Sequence, residues 1–281
     1  THPTVQDHVR ILRSRGALVL DPEEGPLASG MVAQGRLAAE HRILEAIDRA
    51  LLPLSDLRGH TILVSAGPTQ EAIDPVRYIS NRSSGKMGYA LADAARSRGA
   101  DVILVSGPTA LAPPAGVRLI PVVTAKDMAD TLSAQLAWSS IVIMAAAVAD
   151  FLPKTPAPQK IKKGTAAVPP LELERGPDIL AMLSARRTSQ ILVGFAAETE
   201  QLVQHATGKL HAKALDLIVA NDVTQPGAGF GSDQNAATIL SRTGGQLTLS
   251  LRPKTQLAHD ILSTIVEFSK NEPRKQTPVS V

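Results

Sequence analysis

Residues 60–67 read HTILVSAG, residues 85–100 read GKMGYALADAARSRGA, and residues 101–107 read DVILVSG. The first and third are short apolar runs rich in β-branched residues, each ending at a glycine. The stretch between them is helical in pattern and closes at Gly99. The alternation continues outward. VRLIPVV (117–123) reads as another strand, and Thr124 as the N-cap of a helix running to about Ala137. IVIMAAAV (141–148) reads as a strand buried on both faces. ILVGFAAE (191–198) and LDLIVAND (215–222) repeat the theme around a helix over about 200–214. Continuous apolar strands separated by helices predict a parallel sheet covered on both faces. The fold class is therefore α/β, a Rossmann-like, doubly wound, mostly parallel sheet.

AATILS (236–241) and GQLTLSL (246–252), split by Arg242-Thr243-Gly244-Gly245, read as a β-hairpin at the sheet edge. Lys254 to Ser269 reads as a last helix, and the polar tail 271–281 as loose chain. Residues 151–175 break the rhythm. FLPKTPAPQKIKKGTAAVPPLELE holds five of the twenty prolines, which rules out a core helix and predicts a Pro/Lys-rich loop or exposed flap. Residues 1–57 form a separate piece. A helix over about 3–15, a strand-like GALVL (16–20), a Gly/Pro-rich loop and a helix over about 38–52 are too little for a sheet-and-core domain. They read as the end of another domain, joined through Leu52-Pro53-Leu54-Ser55-Asp56 to a main domain over 58–270.

Composition narrows the function classes. Of 281 residues 44% are hydrophobic, but one Trp, two Tyr and four Phe leave the core to Ala, Val, Leu and Ile. The longest apolar run, Ile141 to Ala149, is far short of a membrane span. No signal-peptide pattern opens the chain, and cysteine is absent, which excludes disulfides and thiolate zinc sites. A cytoplasmic protein without membrane partners is expected. A net charge of +3, with no aromatic residues among the basic ones, argues against nucleic acid. The seven histidines show no metal-ligand spacing.

The chemistry concentrates in DPVRYISNRSSGKMG (74–88), set between a strand and a helix, where an α/β protein offers free N–H groups to a phosphate. The preceding strand ends Ser65-Ala66-Gly67-Pro68-Thr69. No G-x-G-x-x-G follows it, so the dinucleotide fingerprint is missing and a nicotinamide-dependent oxidoreductase is disfavoured. Gly85-Lys86 is not a Walker A motif, because Ser80 and Met87 stand where Gly and Ser or Thr are required. For Ser83, Ser84 and Gly85 two readings stand, a phosphate cradle and an ordinary helix cap.

Six segments, DPVRYISNRSSGKMGYALADAA (74–95), AAAVADF (145–151), KIKK (160–163), GPDIL (176–180), VGFAAET (193–199) and DLIVANDV (216–223), resemble phosphopantothenoylcysteine synthetase in order and register. That family is the amide-forming half of a bifunctional coenzyme A biosynthesis protein. The resemblance implies that 4′-phosphopantothenate, CTP and cysteine give phosphopantothenoylcysteine, CMP and pyrophosphate, with Mg2+ as the metal. It assigns Asn81 to the second half-reaction; the alternative is a turn-forming Asn. It assigns Lys160 to the triphosphate, against a solvated charge run, with Lys162 and Lys163 less clearly involved. It sets the nucleotide against Met144, Ala145 and Ala146, and puts Asp150 on the ribose or on magnesium, the alternative being a helix N-cap. Pro177, Asp178, Ile179 and Leu180, together with Phe195, Lys209 and Lys213, match positions that contact CTP. Lys209 and Lys213 are four apart and share one helical face. A homodimer through the edge hairpin and flap is implied as well.

GPLASGMVAQGRL (25–37) resembles the closing segment of the flavin-dependent phosphopantothenoylcysteine decarboxylase. That family has an essential Cys where this chain has Ser29, between Ala28 and Gly30. The remainder of a flavin domain is missing from the sequence, so no FMN is expected. Two origins stay open, a piece of a bifunctional protein with its Cys replaced and a natural chain that has lost it. A rival to the ligase reading is a catalytically silent, nucleotide-binding homologue acting as a regulatory subunit.

Overall fold

The computed structural model describes residues 2–15, 17–26, 30, 32–51, 55–162, 170–198, 200–222, 229 and 231–271. The chain divides into two units, Thr1–Leu54 and Ser55–Val281. In the first, helix α1 (Pro3–Ser14) opens with Pro3 behind the His2 cap, strands β1 (Glu23–Pro26) and β2 (Val32–Arg36) pair antiparallel, and α2 (Glu40–Leu51) closes the unit. Residues 17–20 of the strand expected at 16–20 do not form one. The Ala17 N–H goes back to the Leu12 carbonyl and Arg13 takes the Val19 carbonyl, so that segment finishes α1 instead of joining a sheet. Glu23 fastens the entry to α2 by accepting from the Ala39 N–H at 3.1 Å and Arg42 at 3.2 Å. Ser29 and residues 52–54 of the expected linker lie outside the described residues, as does the tail from 272.

The second unit runs β3 (Thr61–Ala66), β4 (Gln70–Ala72), β5 (Tyr78–Ser80), α3 (Lys86–Ser97), β6 (Asp101–Ser106), β7 (Arg118–Pro121), α4 (Ala125–Gln135) and β8 (Ile141–Met144). It continues β9 (Phe151–Pro153), β10 (Leu173–Arg175), α5 (Ile179–Arg186), β11 (Ile191–Glu198), α6 (Leu202–Ala212), β12 (Leu217–Asp222), β13 (Gln234–Ser241), β14 (Gln246–Pro253) and α7 (Lys254–Asn271). The main sheet has eight strands in the order β14-β13-β12-β11-β8-β3-β6-β7. In that order the six strands β12, β11, β8, β3, β6 and β7 are parallel, and the β13–β14 hairpin closes one edge antiparallel, as the sequence predicts. From β3 the chain winds outward through β6 and β7, then returns to wind the other way through β8, β11 and β12. This is the 3-2-1-4-5-6 strand order of doubly wound dinucleotide folds, and its reversal lies between β3 and β8.

Each face of the sheet has its own core. On one face Leu91 and Ala95 of α3 and Leu257, Ile261 and Ile265 of α7 pack over Ile62, Val64, Leu104 and Ile143. On the other, Met128, Leu132, Leu183 and Leu210 from α4, α5 and α6 cover Leu63, Ile103, Val142 and Ile218. The period of two along β3 sorts Ile62 and Val64 from Leu63, and burial of each such side chain contributes about 1.5–3 kcal/mol. Small residues let α3 lie close to the sheet. A Cβ on Gly88 would stand 2.5 Å from the Ala66 Cβ and 2.9 Å from the Ser65 carbonyl oxygen. Thr124 caps α4 as predicted, and Asp127 completes a capping box. Arg98, almost wholly buried, binds Asp56 through two nitrogens at 2.9 and 2.6 Å and the His259 carbonyl at 2.8 Å. It thereby joins the start of the unit, the end of α3 and the middle of α7, and holds the Asp56 carboxyl below its ordinary pKa.

Further features of this unit depart from the sequence reading. Strand β8 stops at Met144 rather than Val148, because the Ala147 N–H and C=O are drawn to Gly67 and Thr69 of the neighbouring loop. The loop after β3 carries the short hairpin β4–β5, and the base of the flap is the antiparallel pair β9–β10. Helix α5 follows from Asp178, whose carboxylate caps the Ala181 N–H at 3.1 Å. No helix among the described residues is long and apolar enough to cross a membrane.

Gly88→Ala should lower stability by about 1–3 kcal/mol, since the added methyl overpacks the α3–β3 contact. Chemical denaturation checks this, and an unchanged midpoint would mean that α3 moves away freely.

Candidate active site

A cleft of about 710 Å3 lies along the carboxyl ends of β8, β11 and β12 and the loop before α3. This is where doubly wound sheets place ligands, outside the strand ends at the reversal of strand order. Its first wall is Ser83, Ser84 and Gly85. Gly85 takes a φ of +77° ahead of α3, and no side chain caps that helix, so its positive end is open to the cleft. A Cβ on Gly85 would meet the Thr109 methyl at 2.7 Å. Neither serine acts as the helix cap; Ser83 Oγ instead accepts from the Gly85 N–H at 3.3 Å.

The second wall is the segment from Met144 through Ala145, Ala146 and Ala147 to Val148, with Asp150 beyond it. Two hydroxyls from the neighbouring strand and loop fix this backbone. Ser65 Oγ accepts from the Ala146 N–H at 3.1 Å, and Thr69 Oγ1 from the Ala149 N–H at 3.0 Å. Asp150 is not a helix cap. Its side chain borders the cleft, and its carbonyl accepts from the Gly176 N–H at 2.9 Å, which brings Pro177, Asp178, Ile179 and Leu180 alongside. Phe195, Lys209 and Lys213 complete that end, with Lys213 Nζ 3.1 Å from Asp178 Oδ1.

Of the residues singled out in the sequence, Asn81 and Lys160 stand apart from this lining. Asn81 sits behind the first wall. Its Nδ2 donates to the Ala147 carbonyl, and its Oδ1 accepts from the Ser83 N–H at 3.0 Å, so it couples the two walls. Lys160 is exposed on the flap, beside a firm anchor. Ile161 donates its N–H to Asp74 Oδ2 at 3.1 Å, and its carbonyl accepts from Arg77 Nη2 at 2.9 Å. Asp74 is buried and also takes the Arg77 side chain and the N–H groups of Val76 and Arg77. The guanidinium, with these amides, holds its carboxyl far below the usual carboxylate range. Lys162 is exposed near Lys160, and Lys163 lies outside the described residues.

Sequence reasoning missed several lining residues. Lys86, Arg175, Asn221, Asn235 and Lys254 all border the cleft. Asn221 Oδ1 is buried and, like Ser133 Oγ, lacks a hydrogen-bond partner among the described residues, which is costly unless something binds there. Its signal was a polar residue closing the apolar run LIVAND. Lys254 gave no signal beyond opening a helix; burial and the charge of Lys86 push its pKa down. Among the described residues no three His, Asp or Glu cluster as a metal site.

The family model described as DNA/pantothenate metabolism flavoprotein C-terminal domain matches residues 57–268. The coenzyme A biosynthesis bifunctional protein CoaBC of Bacillus subtilis (strain 168) is 46% identical over 272 residues, 96% of this chain and 67% of that protein. The chain thus spans about two thirds of that relative's length. The crystal structure of the C-terminal domain of coenzyme A biosynthesis bifunctional protein CoaBC is 41% identical, with a TM-score of 0.67 over 78% of this chain and 100% of that one. A Cab2 mutant in complex with phosphopantothenate-cysteine shares the fold, with a TM-score of 0.62 at 18% identity over 81% of this chain and 95% of that one.

Asp74→Asn should free residue 161 without unfolding the sheet. Trypsin should cut after Lys160 and Lys162 several-fold faster while the main thermal transition moves little, since local opening and global unfolding are separate equilibria. Because the folded pKa of Asp74 is depressed, the anchor is intact at neutral pH and fails only as pH falls through that low folded value. An unchanged cleavage rate would show that Asp74 does not hold the flap.

Proposed function

The chain belongs to the DNA/pantothenate metabolism flavoprotein C-terminal domain family, and we propose that it is the ligase joining 4′-phosphopantothenate to cysteine in coenzyme A biosynthesis, with CTP as the activating nucleotide. One observation carries this reading. Four segments far apart in sequence, Ser83–Gly85, Met144–Val148, Pro177–Leu180 and Phe195–Ala197, supply the walls of one cleft at the switch point of the sheet. A motif that resembles the synthetase runs through each of the four.

A carboxylate is a poor electrophile, so the acid must be activated. Its oxygen attacks the α-phosphorus of CTP, pyrophosphate leaves, and an acyl cytidylate forms. The cysteine amine then attacks the acyl carbon, and CMP leaves. Holding the reactants together and neutralising charge supply most of the acceleration in such a displacement. The open end of α3 with Ser83, Ser84 and Gly85, and Lys209 and Lys213 opposite, offer positive charge at two ends of the cleft. The main chain at Met144–Ala146, lined by small side chains, can read a pyrimidine edge with backbone donors and acceptors, and Asn221 Oδ1 adds an acceptor. This supports CTP over ATP.

Asn81 is the donor assigned to the oxyanion of the second step. Lys160 is the cation assigned to the departing pyrophosphate; to serve it, the flap must fold over its own cleft or reach that of a second copy. A cytoplasmic homodimer is part of the reading, supported by the apolar side chains exposed on β5, β9 and β10, namely Tyr78, Phe151 and Leu173, and by the unpaired edge of β14. Asp150 is the carboxylate at the cleft that fits magnesium carried in by a triphosphate, an ion commonly held by one or two carboxylates plus phosphates. When bound, it would neutralise the phosphates. Decarboxylation is not part of the proposal.

The silent-homologue reading draws on one observation, that the Asn81 amide nitrogen is already spent on the Ala147 carbonyl. Half-reactions separate the two. The protein should release pyrophosphate from CTP and phosphopantothenate without cysteine, at a higher kcat/KM than with ATP; no release would end the ligase reading. Lys160→Gln should slow that step. Asn81→Asp should leave it running but block transfer, because a lost oxyanion donor costs about 3–4 kcal/mol. The acyl cytidylate should then accumulate, visible by mass spectrometry, and cysteine should barely discharge it. Rapid discharge would return Asn81 to a turn residue, and wild-type release by Lys160→Gln would remove Lys160 from the site.

A further inference from the structure

Two lysines at the cleft have no part in that mechanism. Lys86 opens α3 directly after Ser83–Gly85, and Lys254 opens α7. They come from opposite ends of the unit's sequence, yet each reaches the same short stretch before β13. Lys86 Nζ donates to Asp233 Oδ1 at 2.7 Å and to the Gly231 carbonyl at 2.9 Å. Lys254 Nζ donates to the Ser232 carbonyl at 2.5 Å and approaches that of Gly229 at 3.5 Å. Its own N–H takes the Asp233 carbonyl at 2.9 Å.

The charges do not cancel. Lys254 is only 8% exposed and is held on carbonyl dipoles rather than on a carboxylate. The two ammonium groups feel one another, and among the described residues the carboxylate that acts on both is Asp233. Two positive charges and the positive end of α3 thus share one negative group, in a partly enclosed cleft where charge interactions are stronger than in water. That negative group is also easily displaced. The Asp233 side chain is 87% exposed, so leaving Lys86 for solvent costs it little.

We infer that Lys86 and Lys254 form a further anion-binding element of the cleft, which takes a phosphate group, and that Asp233 is its resident counter-charge, displaced when the phosphate arrives. The inference rests on the reading that the cleft accepts phosphorylated substrates. Lys86, on a flexible stem, makes the contact. Lys254, pinned on carbonyls, is the fixed charge behind it and positions the stretch that carries Asp233. The phosphate can be part of a triphosphate or a phosphomonoester.

The test uses inorganic pyrophosphate, titrated calorimetrically into the full chain. Wild type should bind it. Lys86→Met should weaken binding about tenfold, the loss expected for a charge-assisted contact, and Lys254→Met should weaken it less but measurably. Asp233→Asn should strengthen it about threefold, because a competing carboxylate has gone. The opposite signs matter, since a merely structural role would make all three weaken binding. If Lys254→Met fails to fold, Lys86→Met and Asp233→Asn, both on solvent-accessible groups, decide alone. No pyrophosphate binding by wild type, full affinity in Lys86→Met, or weaker binding in Asp233→Asn each overturns the inference. The probe needs neither cytidine nor the acid, so it can succeed while the ligase reading fails, and the reverse. In steady state, Lys86→Met should raise the KM of one substrate. A rise for CTP assigns the pair to the triphosphate, a rise for phosphopantothenate assigns it to the phosphomonoester, and a rise for neither counts against it.

Discussion

The main chain of Ala147 fastens the two halves of the sheet together where they begin to part. Beyond the last shared rung, β3 and β8 turn to opposite windings, and their loops would separate with unpaired backbone groups. Instead the Ala147 N–H reaches the Gly67 carbonyl at 2.9 Å, and its own carbonyl takes the Thr69 N–H and the Asn81 side chain. Ser65 and Thr69 extend the pairing through their hydroxyls. The floor of the cleft therefore has fixed geometry although it is no longer sheet. The first wall, the second wall and, through Asp150 and Gly176, the segment Pro177–Leu180 all hang from this knot.

That construction divides the work between backbone and side chain. The segment Met144–Val148 is held in place by backbone hydrogen bonds. Charge comes from the helices on the two faces of the sheet, with Lys209 and Lys213 from α6 and its end and Lys86 and Lys254 from the starts of α3 and α7. Asn81 belongs to the knot as much as to any chemistry, since its two polar atoms hold Ala147 and Ser83 in relative position. The flap is fixed at its base by Asp74 and Arg77, while Lys160, one residue away, projects into solvent.

Much of the fold could be read from residue order. Parallel strands buried on both faces leave continuous apolar runs, and β3, β6, β11 and β12 fall where those runs fall. Thr124 and Asp127 mark a helix start by side-chain chemistry alone. What escaped has physical reasons. Strands β4, β5, β9 and β10 are three residues each, too short to show a period. Strand β8 ends early because of partners eighty residues upstream, which no local pattern contains. GALVL is apolar, but a strand needs a neighbour, and Ala17 turns back to α1. In the site, segments with their own motifs were legible. Lys86, Lys254 and Asn221 were not, because each matters only through what folding brings beside it.

A cleft wall whose path is fixed by backbone hydrogen bonds has a consequence for heredity. Side chains change with single codons, whereas the path of Met144 to Val148 is set by the knot at Ala147 and by the hydroxyls of Ser65 and Thr69. A mutation there alters the surface a ligand meets only by disturbing the fold that supports it. An inhibitor that packed against that segment would leave the organism few ways to evade it, whereas one leaning on Lys209 could be escaped at a single exposed position.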